Sequence, residues 1–153
     1  MTIKKIKQWL NFDWLKKAEL VELDDVDVSK DPVRPELDIK FRTSYGRKIY
    51  GLKHDDQIKA VMCFAFTNDV PKTVEELDEL SKDAYLQATH RAGVQGSIAI
   101  AYTVWSLQKG GGKMIVDEVF KMIKQSNHLN RLVTLSPLTC LLYTSDAADD
   151  QAC

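Results

Sequence analysis

The pattern of apolar and polar positions changes period several times along the chain, and each change marks an element. Ser97-Ile-Ala-Ile-Ala-Tyr-Thr-Val-Trp-Ser106 is an apolar run rich in β-formers. It is followed by Leu107-Gln-Lys-Gly-Gly-Gly-Lys113, an amphipathic segment from Met114 to Gln125, and a second apolar run, Leu132-Val-Thr-Leu-Ser136. That order predicts strand, glycine turn, helix, strand. Upstream, Lys48–Lys53 and Ile58–Phe66 flank His54-Asp-Asp-Gln57, which predicts a hairpin turning at Asp55 and Asp56. The second of these runs is almost unbroken in apolar side chains, as in a strand buried on both faces.

Thr73-Val-Glu-Glu76 is a capping box that opens a helix with Val74, Leu77, Leu80, Ala84 and Ala88 on one side, ending near Gly93. Ile3, Ile6, Trp9, Leu10, Trp14 and Leu15 fall at helical spacing among lysines. They predict a first helix that covers one side of the domain, in preference to one lying on a membrane. Residues 20–28 alternate enough for a first strand or an extended acidic loop. Glu22, Asp24, Asp25 and Asp27 lack the glycine and closing glutamate of a calcium loop and read as a solvated edge. Pro32 and Pro35 then break regular structure ahead of the hairpin. The sum is one α/β (α+β) domain, a mixed central sheet flanked by helices.

The tail alters the composition. Cys140-Leu-Leu-Tyr-Thr-Ser-Asp-Ala-Ala-Asp-Asp150 resembles the translation of a transposon-type sequencing adapter, so residues 140–153 are set apart as non-native and 1–139 as a C-terminally truncated domain. Without the tail's three aspartates, the balance of 21 basic and 22 acidic residues becomes 21 − 19 = +2. Neither balance points to nucleic acid. Cys63 is then the sole cysteine, a small buried hydrophobe suited to a reducing compartment. With no apolar stretch of spanning length, a cytoplasmic protein without membrane contact is expected. His54, His90 and His128 have no metal-site spacing, and no metal is expected. Trp105 reads as core in preference to a wall beside a substrate.

The chemistry is concentrated at the glycine turn. Three glycines without Cβ atoms, where the backbone leaves a strand and enters a helix, let N–H groups approach one anion, and Lys109 and Lys113 add positive charge. A phosphate site at Gly110 to Lys113 is the expectation. A larger residue at Gly111 would then crowd the phosphate while leaving the fold mostly intact.

The hairpin, helix, strand, glycine turn, helix and parallel strand resemble the GNAT superfamily of acyl-CoA-dependent acyltransferases, whose turn reads Q/R-x-x-G-x-G/A. With Gln108 as first position, Gly111 fits and Lys113 departs at the last. With Gly110 and Gly112 as the glycines, Leu107 departs at the first. The resemblance implies an acyl-CoA, such as acetyl-CoA, as co-substrate. Its thioester carbonyl would meet a backbone N–H near Val104 or Ser106, and Gln108, Lys109, Gly110, Gly111, Gly112 and Lys113 would line its pyrophosphate. A general base would deprotonate an attacking amine. Glutamates and aspartates are too many for that base to be assigned. The general acid is often a tyrosine on a helix after the fifth strand, which this stretch does not contain.

A second resemblance covers roughly 40 residues. Tyr102, Ser106, Gln108, Gly110, the apolar helix and Thr134-Leu-Ser-Pro-Leu138 look like the malonyl-CoA decarboxylase catalytic domain, which carries T-L-S-P-I-P near its active site. It implies a catalytic role for Ser136 alongside a later histidine; the alternative is a hydroxyl that satisfies a strand-end backbone group. Thr139 departs from the family's proline, and the glycine turn is shorter. The expectations are an N-acyltransferase acting on a small-molecule or protein amine, then a malonyl-CoA-decarboxylase-like lyase, then a non-catalytic acyl-CoA-binding or interaction module. An incomplete sheet edge adds the expectation of association, for instance as a homodimer.

Overall fold

A computed structural model describes residues 18–90 and 96–135, without the side chains of 89 and 90. The predicted first helix, Ser136 and the adapter-like tail lie outside the described residues. Five strands, β1 (Glu19–Leu23), β2 (Lys48–His54), β3 (Gln57–Thr67), β4 (Ile98–Ser106) and β5 (Arg131–Thr134), form one sheet in the order β1-β2-β3-β4-β5. The first four pair antiparallel, and β5 joins β4 in parallel. Helix α1 (Ile39–Thr43) is short and precedes the hairpin, and helix α2 (Val74–His90) links β3 to β4. Parallel pairing of β4 and β5 needs a crossover, which helix α3 (Gly111–Gln125) supplies. The predicted mixed sheet with flanking helices is the observed fold.

Each face of the sheet has its own core. On one, Ile49, Val61, Cys63, Ala65, Ile98, Ile100, Tyr102 and Trp105 pack with Leu77 of α2 and with Val26, Leu37, Ile39 and Phe41 of the connection. On the other, Leu52, Met62, Phe64, Ala99 and Ala101 meet Ile115, Val119 and Ile123 of α3. The spacing of those three α3 residues makes one apolar stripe. β3 is buried on both faces, as its unbroken apolar run predicts, and Trp105 is core. The hairpin turns where expected: Asp55 and Asp56 both have positive φ (51° and 60°), the mirror-image turn that suits strand twist. Thr73 Oγ1 accepts from Glu76 N at 3.1 Å, half of the predicted capping box. Among the described residues, no helix is long and apolar enough to cross a membrane.

Two boundaries and one element differ from the expectation. The first strand ends at Leu23, and the chain then enters a 3₁₀ turn (Val28–Lys30) capped by Asp27, because the Asp27 carboxylate takes Ser29 N. Helix α3 begins at Gly111 and not Met114, so two of the three glycines are helical. Helix α1, capped by Asp38, has no counterpart in the sequence reading.

The 24–47 connection is fastened by polar contacts. Asp31 and Arg42 form an ion pair at 2.9 Å with both side chains wholly buried. Asp31 Oδ1 also accepts from Val33 N (2.8 Å), Arg34 N (3.1 Å) and Thr103 Oγ1 (2.8 Å). Arg42 donates to the carbonyls of Leu37 (2.9 Å) and Arg34 (2.8 Å). Arg47 bridges to α2 through Ser81 and the Asp78 carboxylate, and donates to the Phe41 carbonyl. Burial works to raise the Asp31 carboxyl, but the bonds it accepts from Arg34, Thr103, Val33 and Arg42 outweigh this and hold it below the ordinary 3.8. A carboxyl lowered by folding stabilises the fold above its unfolded pKa, and that contribution disappears as pH falls through the folded value. Arg42 stays charged throughout. Asp31→Ala therefore costs about 3–5 kcal/mol, since it strands a buried guanidinium. Urea unfolding at neutral pH measures the loss, and below pH ~4 the gap between variant and wild type narrows.

Candidate functional site

β4 is the strand around which the candidate site is built. Cys63 of β3 pairs with Thr103 but Phe64 pairs with Ala101, so Tyr102 is an extra residue on β4 and forms a bulge. The bulge resets the alternation of side chains. Ile98, Ile100 and Tyr102 share one core, and after the extra residue Trp105 falls on the same face. The bulge is held from the side of the connection. Arg34 Nε donates to the Tyr102 carbonyl at 2.9 Å, and Thr103 Oγ1 donates to Asp31.

On its opposite edge, β4 pairs with β5 only from Ile98 to Ala101, and Leu135 N closes the ladder on the Ala101 carbonyl at 2.9 Å. Among the described residues no strand pairs with β4 on that edge beyond Ala101. That leaves the stretch from Tyr102 to Ser106, on the order of 16 Å long, without a partner strand on that edge among the described residues.

At the far end of this stretch lies the turn. Leu107 N donates to the Lys59 carbonyl at 2.8 Å, where β3 carries its own bulge. Ser106 Oγ donates to the Gln108 carbonyl, and Gln108 N returns to Ser106 Oγ at 3.3 Å. Gly110 takes a left-handed conformation (φ 86°) at the N-cap of α3, with no side chain capping the helix. Its φ favours glycine, and the place where its Cβ would lie is open. Ser106, Gln108, Lys109, Gly110 and Lys113 are exposed and Gly112 half-buried, so these predicted residues gather at one end of β4. Val104 is half-buried among the residues packed against the α3-side core.

Gly111 departs from its predicted role. Its N–H is taken by the Gln108 carbonyl at 2.9 Å, which removes one amide from the expected set. A Cβ there would meet the Lys59 carbonyl oxygen at 2.8 Å and Ser106 Oγ at 2.9 Å, so this glycine serves close packing. The expectation that a larger residue at Gly111 leaves the fold mostly intact is thereby corrected.

The residues that sequence reasoning missed are Asp31, Arg34, Arg42 and Arg47, all buried. Their one signal is three arginines and an aspartate in a stretch that is broken by Pro32 and Pro35 and lacks a regular apolar period. Beneath the bulge, burial pushes the Cys63 thiol up to about 11 against the opposing pull of Arg42, so it is an inert thiol. Burial likewise raises the Tyr102 hydroxyl, which makes no hydrogen bond of good geometry among the described residues. No group of three histidine, cysteine, aspartate or glutamate side chains able to hold a metal occurs among the described residues. His128 is exposed and His54 lies beside the hairpin turn.

These features define a mixed five-stranded α/β domain with a bulged, partly unpaired fourth strand ending at a glycine-capped helix. No family model matches the chain, and no curated protein matches it. Solved structures do. Malonyl-CoA decarboxylase from Cupriavidus metallidurans aligns over 86% of this chain and 34% of its own, with TM-score 0.56 and 18% identity. Malonyl-CoA decarboxylase from Rhodopseudomonas palustris aligns over 90% and 36%, with TM-score 0.53 and 18% identity. The chain spans about a third of the length of either, and the likeness is one of fold.

The two helical glycines separate packing from ligand approach. Gly111→Ala is expected to destabilise by about 1–3 kcal/mol through overpacking against Lys59. Gly112→Ala, whose Cβ meets only Ser106 Cβ at 3.8 Å, is expected to stabilise by about 0.5–1 kcal/mol, the ordinary helix preference for alanine. Thermal unfolding of the two variants reads both signs.

Proposed function

We propose that this chain is the thioester-binding part of a malonyl-CoA-decarboxylase-like lyase. The observation that carries the reading is the fourth strand itself: among the described residues its pairing with β5 ends at Ala101 beside the bulge, and its other end leads into a helix N-terminus with no side-chain cap. An extended acyl-CoA arm suits that arrangement. Its amides would pair with the open edge from Tyr102 to Ser106, and its pyrophosphate would lie at Gly110, Gly112 and Lys113, favoured by backbone N–H groups and the helix dipole. Lys109 adds charge at the rim. The fold likeness to two decarboxylases supports the lyase over the N-acyltransferase expected from the glycine turn. Neither an amine acceptor nor a homodimer belongs to the proposal.

In such a reaction the bond between the carboxylate carbon and the α-carbon breaks, and CO₂ leaves. The electron pair passes into the thioester as an enolate, and a proton delivered to the α-carbon yields acetyl-CoA. The chain's contribution would be to hold the thioester oxygen against a backbone N–H near Val104 or Ser106 as negative charge develops there. Ser136, two residues beyond Thr134 at the end of β5, remains the proposed hydroxyl partner of the substrate.

Calorimetric titration of CoA, acetyl-CoA and malonyl-CoA into the full chain tests this. Binding of all three, weakened at least tenfold by Gly112→Asp without loss of thermal stability, is the expected result. The aspartate places negative charge where the pyrophosphate would sit, while remaining compatible with a helix's first turn. Unchanged affinity in that variant would remove the phosphate site.

A further inference from the structure

Three arginines are buried beside the sheet, and two of them are fully engaged. Arg42 pairs with Asp31 and donates to the carbonyls of Leu37 and Arg34. Arg47 pairs with Asp78, donates to Ser81 and Phe41, and stacks on the Phe41 ring at 4.1 Å. Arg34 is different. It is only 8% exposed, and its Nε is tied to the Tyr102 carbonyl at the β4 bulge. Its two terminal nitrogens make no hydrogen bond or ion pair among the described residues, yet they are not sealed from solvent.

The neighbouring carboxylates answer this charge only at a distance. Asp31, Glu36 and Glu75 are near enough to act on it, but none is in an ion pair with it. Asp31 is already committed to Arg42, Thr103 and two backbone amides. Burial works against the charge of Arg34, and the more distant Glu36, Asp31 and Glu75 offset it only in part, with no direct ion pair. A guanidinium so placed is costly unless an anion completes it. Its fork suits a carboxylate, which accepts two parallel N–H bonds. The fork is anchored at the residue after Ala101, the last residue of β4 that pairs with β5 among the described residues.

We propose that Arg34 is the specificity residue of this site and that its free guanidinium edge receives the terminal carboxylate of a malonyl thioester. This rests on the acyl-CoA reading of β4. Arg34 then selects a thioester bearing a second carboxylate over one ending in a methyl group. Such an interaction is present before the carbon–carbon bond breaks, so it acts on affinity and leaves the rate of CO₂ loss to other groups.

The test compares wild-type full chain with Arg34→Gln and Arg34→Lys. Malonyl-CoA is expected to bind wild type at least tenfold more tightly than acetyl-CoA. Arg34→Gln should erase that preference by weakening malonyl-CoA at least tenfold more than acetyl-CoA, and Arg34→Lys should retain part of it, since a lysine keeps the charge without the fork. Equal losses for both thioesters would mean that Arg34 only holds the bulge, and the proposal falls. Free malonate supplies an independent reading: it should raise the Tm of wild type more than acetate does, and not that of Arg34→Gln. If wild type binds no CoA thioester but malonate stabilises it through Arg34, the CoA reading fails and the carboxylate site stands. No malonate effect and no malonyl preference overturns the site.

Discussion

The buried pair of Asp31 and Arg42 is the constraint on which the rest of this structure depends. Two charges removed from water are favourable only when their remaining donors and acceptors are also met. Here they are: Asp31 takes two backbone amides and a hydroxyl besides Arg42, and Arg42 takes two carbonyls besides Asp31. Those partners belong to the 31–42 connection and to β4, which are about 70 residues apart in sequence. The pair thus closes a long loop onto the central sheet beside the apolar contacts of Val26, Leu37, Ile39 and Phe41, and it fixes one arrangement of that loop.

What it fixes is the bulge. An extra residue in a strand leaves a carbonyl without its ladder partner. At Tyr102 that carbonyl is taken by Arg34, three residues from Asp31, while Thr103 is held by Asp31 itself. The bulge and the connection therefore stabilise each other. The same extra residue realigns the remainder of β4, so that Trp105 returns to the core and the strand end meets α3 through Ser106 and Gly111. A polar network on one face of the sheet and a close glycine contact on the other both determine how the open edge is presented.

The parts of this fold that are legible in the sequence are those held by periodic apolar burial. β3, β4, the hairpin turn at Asp55 and Asp56, and the α3 stripe of Ile115, Val119 and Ile123 each carry their own local signal. The connection from 24 to 47 does not, because its conformation comes from hydrogen bonds to residues far along the chain, and an arginine reads as solvated until its partners are known. The glycine turn lies where the sequence puts it, but three consecutive glycines conceal a helix start: nothing in Gly110-Gly-Gly112 distinguishes the left-handed residue from the two helical ones. What separates them is tertiary, the Lys59 carbonyl against Gly111 and the open space around Gly110.

The division of labour along β4 also bears on catalysis. A carboxylate paired with a guanidinium is more stable than one in water-poor, apolar surroundings, so such a pair alone would resist the loss of CO₂. Rate acceleration has to arise where charge appears during the reaction, at the thioester oxygen as the enolate forms. In the proposed reading the two ends of that problem would lie on neighbouring residues of one strand. The Tyr102 carbonyl orients the arginine that would select the substrate, and the open backbone beyond it offers the amides that would meet the developing charge. In the proposed reading the bulge would bring both to one acyl group without a catalytic side chain on β4 itself, a strand that reads in sequence as plain hydrophobic core.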